Sequence, residues 1–312
     1  MSAVAAPARH FLSLAELTRS DLAGLLDDAA RLKLAPLDSS LQGRTLAMIF
    51  EKPSLRTRLS FDVGMMQLGG RGIYLSPAEV GLGRRESIAD VARVVSRMVD
   101  LVVLRVNAHE TLEEFARHSR VPVINGLSDL SHPCQGLADI FTIREKKGDL
   151  SRVTAAFVGD GNNVAHSLML AAAHTGVHLR VATPAGYEPQ ARYRELAAGA
   201  ARASGAVIEI GNDPAAAVRG ADVVYTDVWT SMGQEQEYER RRRAFAGFQV
   251  NAALLALAKP DAIVLHDLPA HRGEEITDDV LDGPQSAAFD QAENRLHAQK
   301  ALLRWIMRGG GR

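Results

Sequence analysis

The chain has 312 residues, enough for one large domain or two ordinary ones. Hydrophobic residues make up 46% and charged residues 23%, the balance of a folded protein rather than a disordered one. Lys plus Arg is 36 against 37 Asp plus Glu, a formal net charge of −1 that argues against a protein whose main task is gripping a nucleic-acid backbone, and the single cysteine excludes an intrachain disulfide or a thiolate zinc cluster.

In chain order, the first ten residues lack the basic segment and apolar core of a secretory signal, and no later window approaches the ~18 apolar residues of a membrane span. A cytoplasmic protein with no membrane or nucleic-acid partner is expected. Thr18 to Lys33 reads as a helix: Thr18 and Asp21 resemble a capping box, and Leu22, Leu25, Leu26, Ala29 and Leu32 keep helical spacing. Thr45–Phe50 is a buried-strand run ended by Glu51-Lys52-Pro53. Leu59, Val63 and Met66 place an apolar stripe on the helix that follows. Leu101–Leu104 and Val121–Ile124 are further strands, with a helix near Leu112–Ser119 between them.

A long helix from Pro133 ends in Lys146-Lys147-Gly148, the residues a helix C-terminus favours. A domain boundary is placed there. A second strand series follows at Val153–Val158, Val177–Ala182, Ala206–Ile210, Ala221–Tyr225 and Ala262–Leu265, then a last helix over Ala292–Met307 and a frayed glycine tail. The pattern is α/β: two Rossmann-like domains, each a parallel sheet flanked by helices. The expected domains are residues 1–148 with a C-terminal helix at about 290–308, and residues 149–289.

Five segments sit where a strand hands over to a loop or helix. Ser54-Leu55-Arg56-Thr57-Arg58 opens a helix, whose free N–H groups and partial positive charge attract anions; a capped, solvated basic helix explains it equally well. His132-Pro133-Cys134-Gln135 puts an imidazole at a helix entrance, where it can donate to an oxyanion or simply cap, with the thiol as a small hydrophobe. Gly159-Asp160-Gly161-Asn162-Asn163-Val164 begins like a dinucleotide fingerprint but lacks the third glycine. It reads as a tight turn bringing Asn162 or Asn163 to a ligand, with a dehydrogenase as the alternative. Thr226-Asp227 through Ser231-Met232-Gly233 offers a carboxylate for an amine and a small-residue loop; the Arg240–Arg243 run after it reads as a solvated face. His266-Asp267-Leu268-Pro269-Ala270-His271-Arg272-Gly273-Glu274-Glu275 fits no familiar metal spacing and reads as a site loop. Cationic groups dominate the first half and amine-binding groups the second, which suggests an oxyanion substrate meeting an amine between the domains.

These residues are recognisable. Ser54–Arg58 resembles the Ser-Thr-Arg-Thr-Arg carbamoyl-phosphate motif of the aspartate/ornithine carbamoyltransferase family, and His132–Gln135 its His-Pro-x-Gln motif. Asp227 with Ser231-Met232-Gly233 is similar to its ornithine motif, Leu265–Thr277 to its His-Cys-Leu-Pro loop, and Ala292–Lys300 to its closing helix.

The resemblance implies transfer of a carbamoyl group from carbamoyl phosphate to the δ-amine of L-ornithine, giving citrulline and phosphate in arginine metabolism. It implies that Ser54, Leu55, Arg56, Thr57, Arg105 and Arg295 bind carbamoyl phosphate, that Thr57, Arg105 and His132 stabilise the charged carbamoyl oxygen, and that Gln135 holds the carbamoyl nitrogen. Asn163, Asp227, Ser231, Met232 and Leu268 would hold ornithine. It further implies a homotrimer, a last helix packed back on the first domain, and no metal or organic cofactor.

Three residues depart from the family pattern. Leu55 stands for a threonine, Gly81 for a glutamine that reaches a neighbouring subunit's phosphate, and Asp267 for the cysteine of His-Cys-Leu-Pro. Near Asp227, a second carboxylate tends to push one pKa upward. It can take the amine's proton, hold the amine protonated, or repel the carbamoyl phosphate dianion. The expected result is activity that is reduced or shifted in pH; a different amine acceptor and a non-catalytic homologue are the alternatives.

Overall fold

The computed structural model describes residues 8–230 and 235–309. The chain separates into two compact units, Met1–Cys134 with Arg295–Arg312, and Gln135–Asn294. The division falls one helix before the boundary expected at residue 148. The basic last turn and Gly148 mark where a helix ends, not which sheet it packs on, and Pro133–Lys147 is held by second-unit residues such as Asp261.

The first unit is built on a parallel sheet of β1 (Thr45–Phe50), β2 (Arg71–Leu75), β3 (Leu101–Arg105) and β4 (Val123–Leu127), in the order β2-β1-β3-β4. β1 and β3 are buried along almost their whole length, as a sheet covered on both faces requires. Leu112 and Phe115 from the helix His109–His118 pack on one face against Ile49, Val102 and Leu104. Each such side chain contributes about 1.5–3 kcal/mol by leaving water. β4 starts two residues later than its apolar run suggested, because Pro122 has no N–H to give the ladder; its carbonyl still accepts from Val102. β2 escaped the sequence reading, since its half-exposed alternation resembles a loop.

Thr18 caps the helix Arg19–Leu34 in the expected capping box. The helix Leu55–Gln67 turns its apolar stripe the other way from expectation. Phe61, Gly64 and Met65 are buried, whereas Leu55, Leu59 and Met66 are 71%, 53% and 64% exposed. Gly64 makes room for the C-terminal helix, whose Lys300 Cγ would lie 3.3 Å from an added Cβ. Lys300 Nζ is buried there and donates to Gln67 Oε1 (2.7 Å) and to the carbonyls of Leu32 (3.0 Å) and Pro36 (3.3 Å). Burial lowers its pKa to about 8.

The second unit carries β5 (Thr154–Val158), β6 (His178–Ala182), β7 (Ile208–Gly211), β8 (Val223–Thr226) and β9 (Ile263–His266), all parallel, in the order β7-β6-β5-β8-β9. The helix Asn163–Thr175 is rich in Ala and Leu and almost wholly buried. In each sheet the direction of winding reverses at one point, between β1 and β3 and between β5 and β8. Such switch points open a crevice at the carboxyl ends of the strands, where open α/β sheets bind ligands.

No helix among the described residues is long and apolar enough to cross a membrane. The tail residues 310–312 lie outside the described residues.

Candidate active site

The first unit's switch point gathers positive charge. Ser54 is the N-cap of Leu55–Gln67: its hydroxyl accepts from the Thr57 N–H (3.3 Å) and lies 3.0 Å from the Thr57 hydroxyl. This geometry needs a Ser–x–x–Thr spacing at a helix start. Arg295 Nη2 donates to Thr57 Oγ1 at 2.8 Å, bringing a residue 238 positions later to the same hydroxyl. Arg105 closes β3, in register with Phe50 at the end of β1, and is 7% exposed. His132 follows β4 and is 1% exposed.

Burial pushes the pKa of His132 well down, and the nearby guanidiniums of Arg295, Arg105 and Arg56 push it further. The imidazole is therefore neutral across the physiological range, a hydrogen-bond donor rather than a cation. Three guanidiniums around a neutral imidazole at a helix N-terminus form a site for an anion whose charge grows on one oxygen. Cys134, behind it, is fully buried, with its thiol pushed up to about 12, so it is an inert filler. Leu55 points into solvent, so the hydroxyl missing there costs the unit nothing internally. Gly81 ends the helix Pro77–Val80 at φ 57°, a left-handed position where a glutamine would be strained.

The second unit gathers carboxylates. Asn162 caps Asn163–Thr175, its Oδ1 accepting from Val164 N–H (3.0 Å) and Ala165 N–H (3.2 Å). Its Nδ2 donates to Asp227 Oδ2 at 3.0 Å. Asn162 is thus the residue of the pair that orients Asp227, while Asn163 begins the helix, 9% exposed. Gly161 explains the Gly-x-Gly: an added Cβ would lie 2.3 Å from Pro189 N and 2.5 Å from Tyr187 O. The close approach is to the chain's own backbone, which removes the reason to read a dinucleotide turn here.

The arginine run is not a solvated face. Arg241 is 4% exposed, paired with Asp160 Oδ2; its Nε donates to Trp229 O (2.5 Å), and its guanidinium stacks 4.8 Å from the Tyr187 ring. Helical position decides this: Arg241 faces the unit, and Arg240, Arg242 and Arg243 do not. Ser231, Met232 and Gly233 lie outside the described residues.

A buried relay, of which sequence reasoning singled out Gln135 and the His266–Glu275 loop but not Asp139 or Gln291, supports the rest. Asp139 Oδ1 accepts from Gln135 Nε2 (2.9 Å), Gln291 Nε2 (2.6 Å) and the Tyr225 hydroxyl (3.3 Å). Gln291 Oε1 accepts in turn from the His266 N–H (2.9 Å). His266 Nδ1 accepts from the Leu268 N–H (2.8 Å), so the ring proton sits on Nε2 and is donated to Glu275 Oε1 (3.0 Å). That oxygen also accepts from the His271 N–H (2.6 Å).

The relay fixes the loop in which Leu268 adopts φ 61°, an unusual conformation for a non-glycine residue beside Asp267. His271, Glu274 and Glu275 bring donor atoms within 4.8 Å of one another. Glu275 is committed to the loop and Glu274 accepts from the Tyr238 hydroxyl, so these bonds act as a brace. The relay also sets the Gln135 amide: with Nε2 spent on Asp139, Oε1 accepts no hydrogen bond from a described residue and is available to an N–H of a ligand.

Asp139 is fully buried, and desolvation raises its pKa to about 8. Between the unfolded value of 3.8 and about 8 the folded chain holds a proton that the unfolded chain has lost, so its contribution to stability falls as pH rises through that window. Asp139→Asn removes this titration while keeping the accepting oxygen. The variant is expected to show a flatter Tm between pH 5 and 9, and a Tm roughly 5 °C above the parent's at pH 9 by thermal melts.

Comparison with known proteins also divides the chain in two, at bounds that differ from those of the compact units. Residues 9–145 match the family described as "Aspartate/ornithine carbamoyltransferase, carbamoyl-P binding domain", and residues 151–306 its "Asp/Orn binding domain". The ornithine carbamoyltransferase of Acidothermus cellulolyticus is 55% identical over 97% of this chain and 98% of its own. An anabolic ornithine carbamoyltransferase of Pyrococcus furiosus is 53% identical, over 96% and 97%. A solved ornithine carbamoyltransferase structure from Pyrococcus furiosus superposes with a TM-score of 0.94 at 52% identity, covering 99% of this chain and 100% of that one. Both domains of one family are therefore matched, together over nearly the whole chain, and the chain belongs to the aspartate/ornithine carbamoyltransferase family.

Proposed function

We propose that this protein is an ornithine carbamoyltransferase, transferring the carbamoyl group of carbamoyl phosphate to the δ-amine of L-ornithine in arginine biosynthesis. The observation that carries the reading is the convergence of Arg56, Arg105 and Arg295 on His132 beside the Ser54–Thr57 helix start. A phosphate dianion needs several cations, and the developing carbamoyl oxyanion needs donors that are already oriented. Thr57, Arg105 and the neutral His132 supply those donors. Gln135 Oε1 accepts from the carbamoyl NH2, and Ser54, Leu55 and Arg56 line the phosphate end. Gly81 is too short to reach a neighbour's phosphate as the family glutamine does.

In the second unit, Asp227, Asn163, Leu268 and the Ser231-Met232 segment hold ornithine. Orientation supplies much of the rate, with no covalent intermediate. The reaction calls for no metal or organic cofactor. A cytoplasmic setting belongs to the same reading, in keeping with one free, buried thiol.

The test is citrulline formation by the purified protein with carbamoyl phosphate and L-ornithine. Turnover supports the reading. Carbamoyl phosphate binding by calorimetry with no citrulline refutes it. Asp267, in place of the family cysteine, favours one second reading, a different amine acceptor, and a panel of N-acylated and shorter diamino acids separates the two.

The assembly we propose is a homotrimer. Leu55, Leu59 and Met66 expose an apolar face on one helix, a pattern that marks a protein–protein contact. The parent is expected to sediment as a multiple of three 33.6 kDa chains, and Leu59→Glu with Met66→Glu to shift it to single chains.

A further inference from the structure

Gln135 and Asp139 stand one turn apart on the helix Pro133–Lys147, so they share a face. Both are buried, as are Tyr225 on β8, His266 at the end of β9 and Gln291 on the helix Ala288–Met307. An amide side chain can turn over and exchange its oxygen for its nitrogen, so a buried glutamine reads a ligand only if something decides which end it shows. Here the decision starts from a group that cannot turn over. The His266 backbone N–H donates to Gln291 Oε1 (2.9 Å), which leaves Gln291 Nε2 to donate to Asp139 Oδ1 (2.6 Å). Asp139 Oδ1 is thereby an acceptor, and it accepts from Gln135 Nε2 as well (2.9 Å). Gln135 is left showing its oxygen, a buried acceptor that no described residue satisfies.

We infer that Asp139 is a positioning residue for donor choice: by fixing the Gln135 amide with its oxygen outward, it makes the site prefer a carbamoyl group over an acyl group that has no N–H. The inference rests on the carbamoyl-transfer reading above and adds the residue that sets its donor specificity. The telling contrast is carbamoyl phosphate against acetyl phosphate, in which a methyl replaces the NH2 at similar size and the phosphate is unchanged. The methyl leaves Gln135 Oε1 desolvated and unpaired, a loss that a site built around a hydrogen bond does not recover elsewhere. A turned-over amide would present Nε2 instead, and two donors would then face each other.

Protonation of Asp139 leaves this arrangement in place. Oδ1 takes three donors, from Gln135, Gln291 and Tyr225, whereas Oδ2 has no hydrogen-bond partner among the described residues. A proton on the acid therefore goes to Oδ2, and Oδ1 goes on accepting. The titratable groups facing Asp139 are Tyr225, raised well above its ordinary value, and Asp267, whose charge adds to the effect of burial. The donor preference is expected to be flat across the Asp139 pKa of about 8.

The experiment measures the binding of carbamoyl phosphate and of acetyl phosphate by calorimetry, on either side of that pKa, in the parent, Asp139→Asn and Asp139→Leu. The parent is expected to bind carbamoyl phosphate ~100-fold more tightly. Asp139→Asn keeps an oxygen where both amides donate, and is expected to hold that ratio. Asp139→Leu keeps the branched shape and loses every acceptor. Its affinity for carbamoyl phosphate is expected to fall ~30-fold while that for acetyl phosphate stays within about threefold, whereas general damage would weaken both alike. An unchanged ratio in Asp139→Leu, or an equal loss in Asp139→Asn, overturns the positioning role.

A second readout needs no variant at Asp139. The Gln135 side-chain NH2, identified in 1H–15N spectra by its loss in Gln135→Glu, is expected to be protected from solvent exchange before and after carbamoyl phosphate binds. Rapid exchange in the parent overturns the orientation itself. A parent that binds both phosphates equally overturns the donor choice, with the carbamoyl-transfer reading intact if citrulline forms. A parent that binds neither refutes that reading, and the donor choice falls with it. The expected ratio in a protein that makes no citrulline supports the donor choice and refutes ornithine as the acceptor.

Discussion

Replacing Arg105 by methionine is expected to lower kcat/KM for citrulline formation about a thousandfold, the scale of losing a preorganised oxyanion donor. Arg105 sits at the end of β3 on the switch point, 7% exposed, and its charge is felt at His132. Methionine keeps much of the buried stem's volume while removing the fork of donors. Two further readouts identify the cause. One of the three cations that, after burial, keep the His132 pKa low is gone, so its NMR-titrated pKa should rise in Arg105→Met and stay low in Arg105→Lys, whereas a lesion that merely opened the site would raise it in both. Arg105→Lys keeps the charge and loses the bidentate geometry, so it should fall between the two. A full-rate Arg105→Met enzyme would remove this side chain from the chemistry.

The largest effect on stability is expected at Arg241. Arg241→Ala leaves Asp160 buried without its guanidinium and strips the stacking on Tyr187, a loss of roughly 3–5 kcal/mol for breaking a buried pair on one side. Denaturant unfolding should show the midpoint falling with little change in slope. Burial already raises Asp160 to about 6 against the pull of Arg241, so the orphaned acid should titrate higher still. The double variant Asp160→Asn/Arg241→Met should recover a large share of the loss, since no uncompensated charge remains. If Arg241→Ala unfolds at the parental midpoint, the pair is a spectator. The contact ties the turn after β5 to the segment beyond β8, so the same variant should also raise the KM for the amine acceptor.

Local signals carried the alternation of strands and helices, the Thr18 and Ser54 caps, the placement of site segments after strands, and the family itself. Each is written within a few residues: a cap needs a hydroxyl three positions from an N–H, and a buried strand needs a short apolar run. Which face of a helix meets the core was not legible. Leu59 and Met66 have the right spacing and the wrong side, because periodicity gives a stripe but not its partner. Arg241 differs from its three neighbours only in direction. Asp139 and Gln291 carry no motif of their own, and they matter because folding brings a donor and an acceptor 152 positions apart into one buried relay. The same holds for Asp267. The sequence shows a carboxylate in a cysteine's place, but its meaning depends on the register that sets it beside Asp227. Chemistry was determined by residue type, and its tuning by proximity and desolvation, which exist only once the strands are paired and water is excluded.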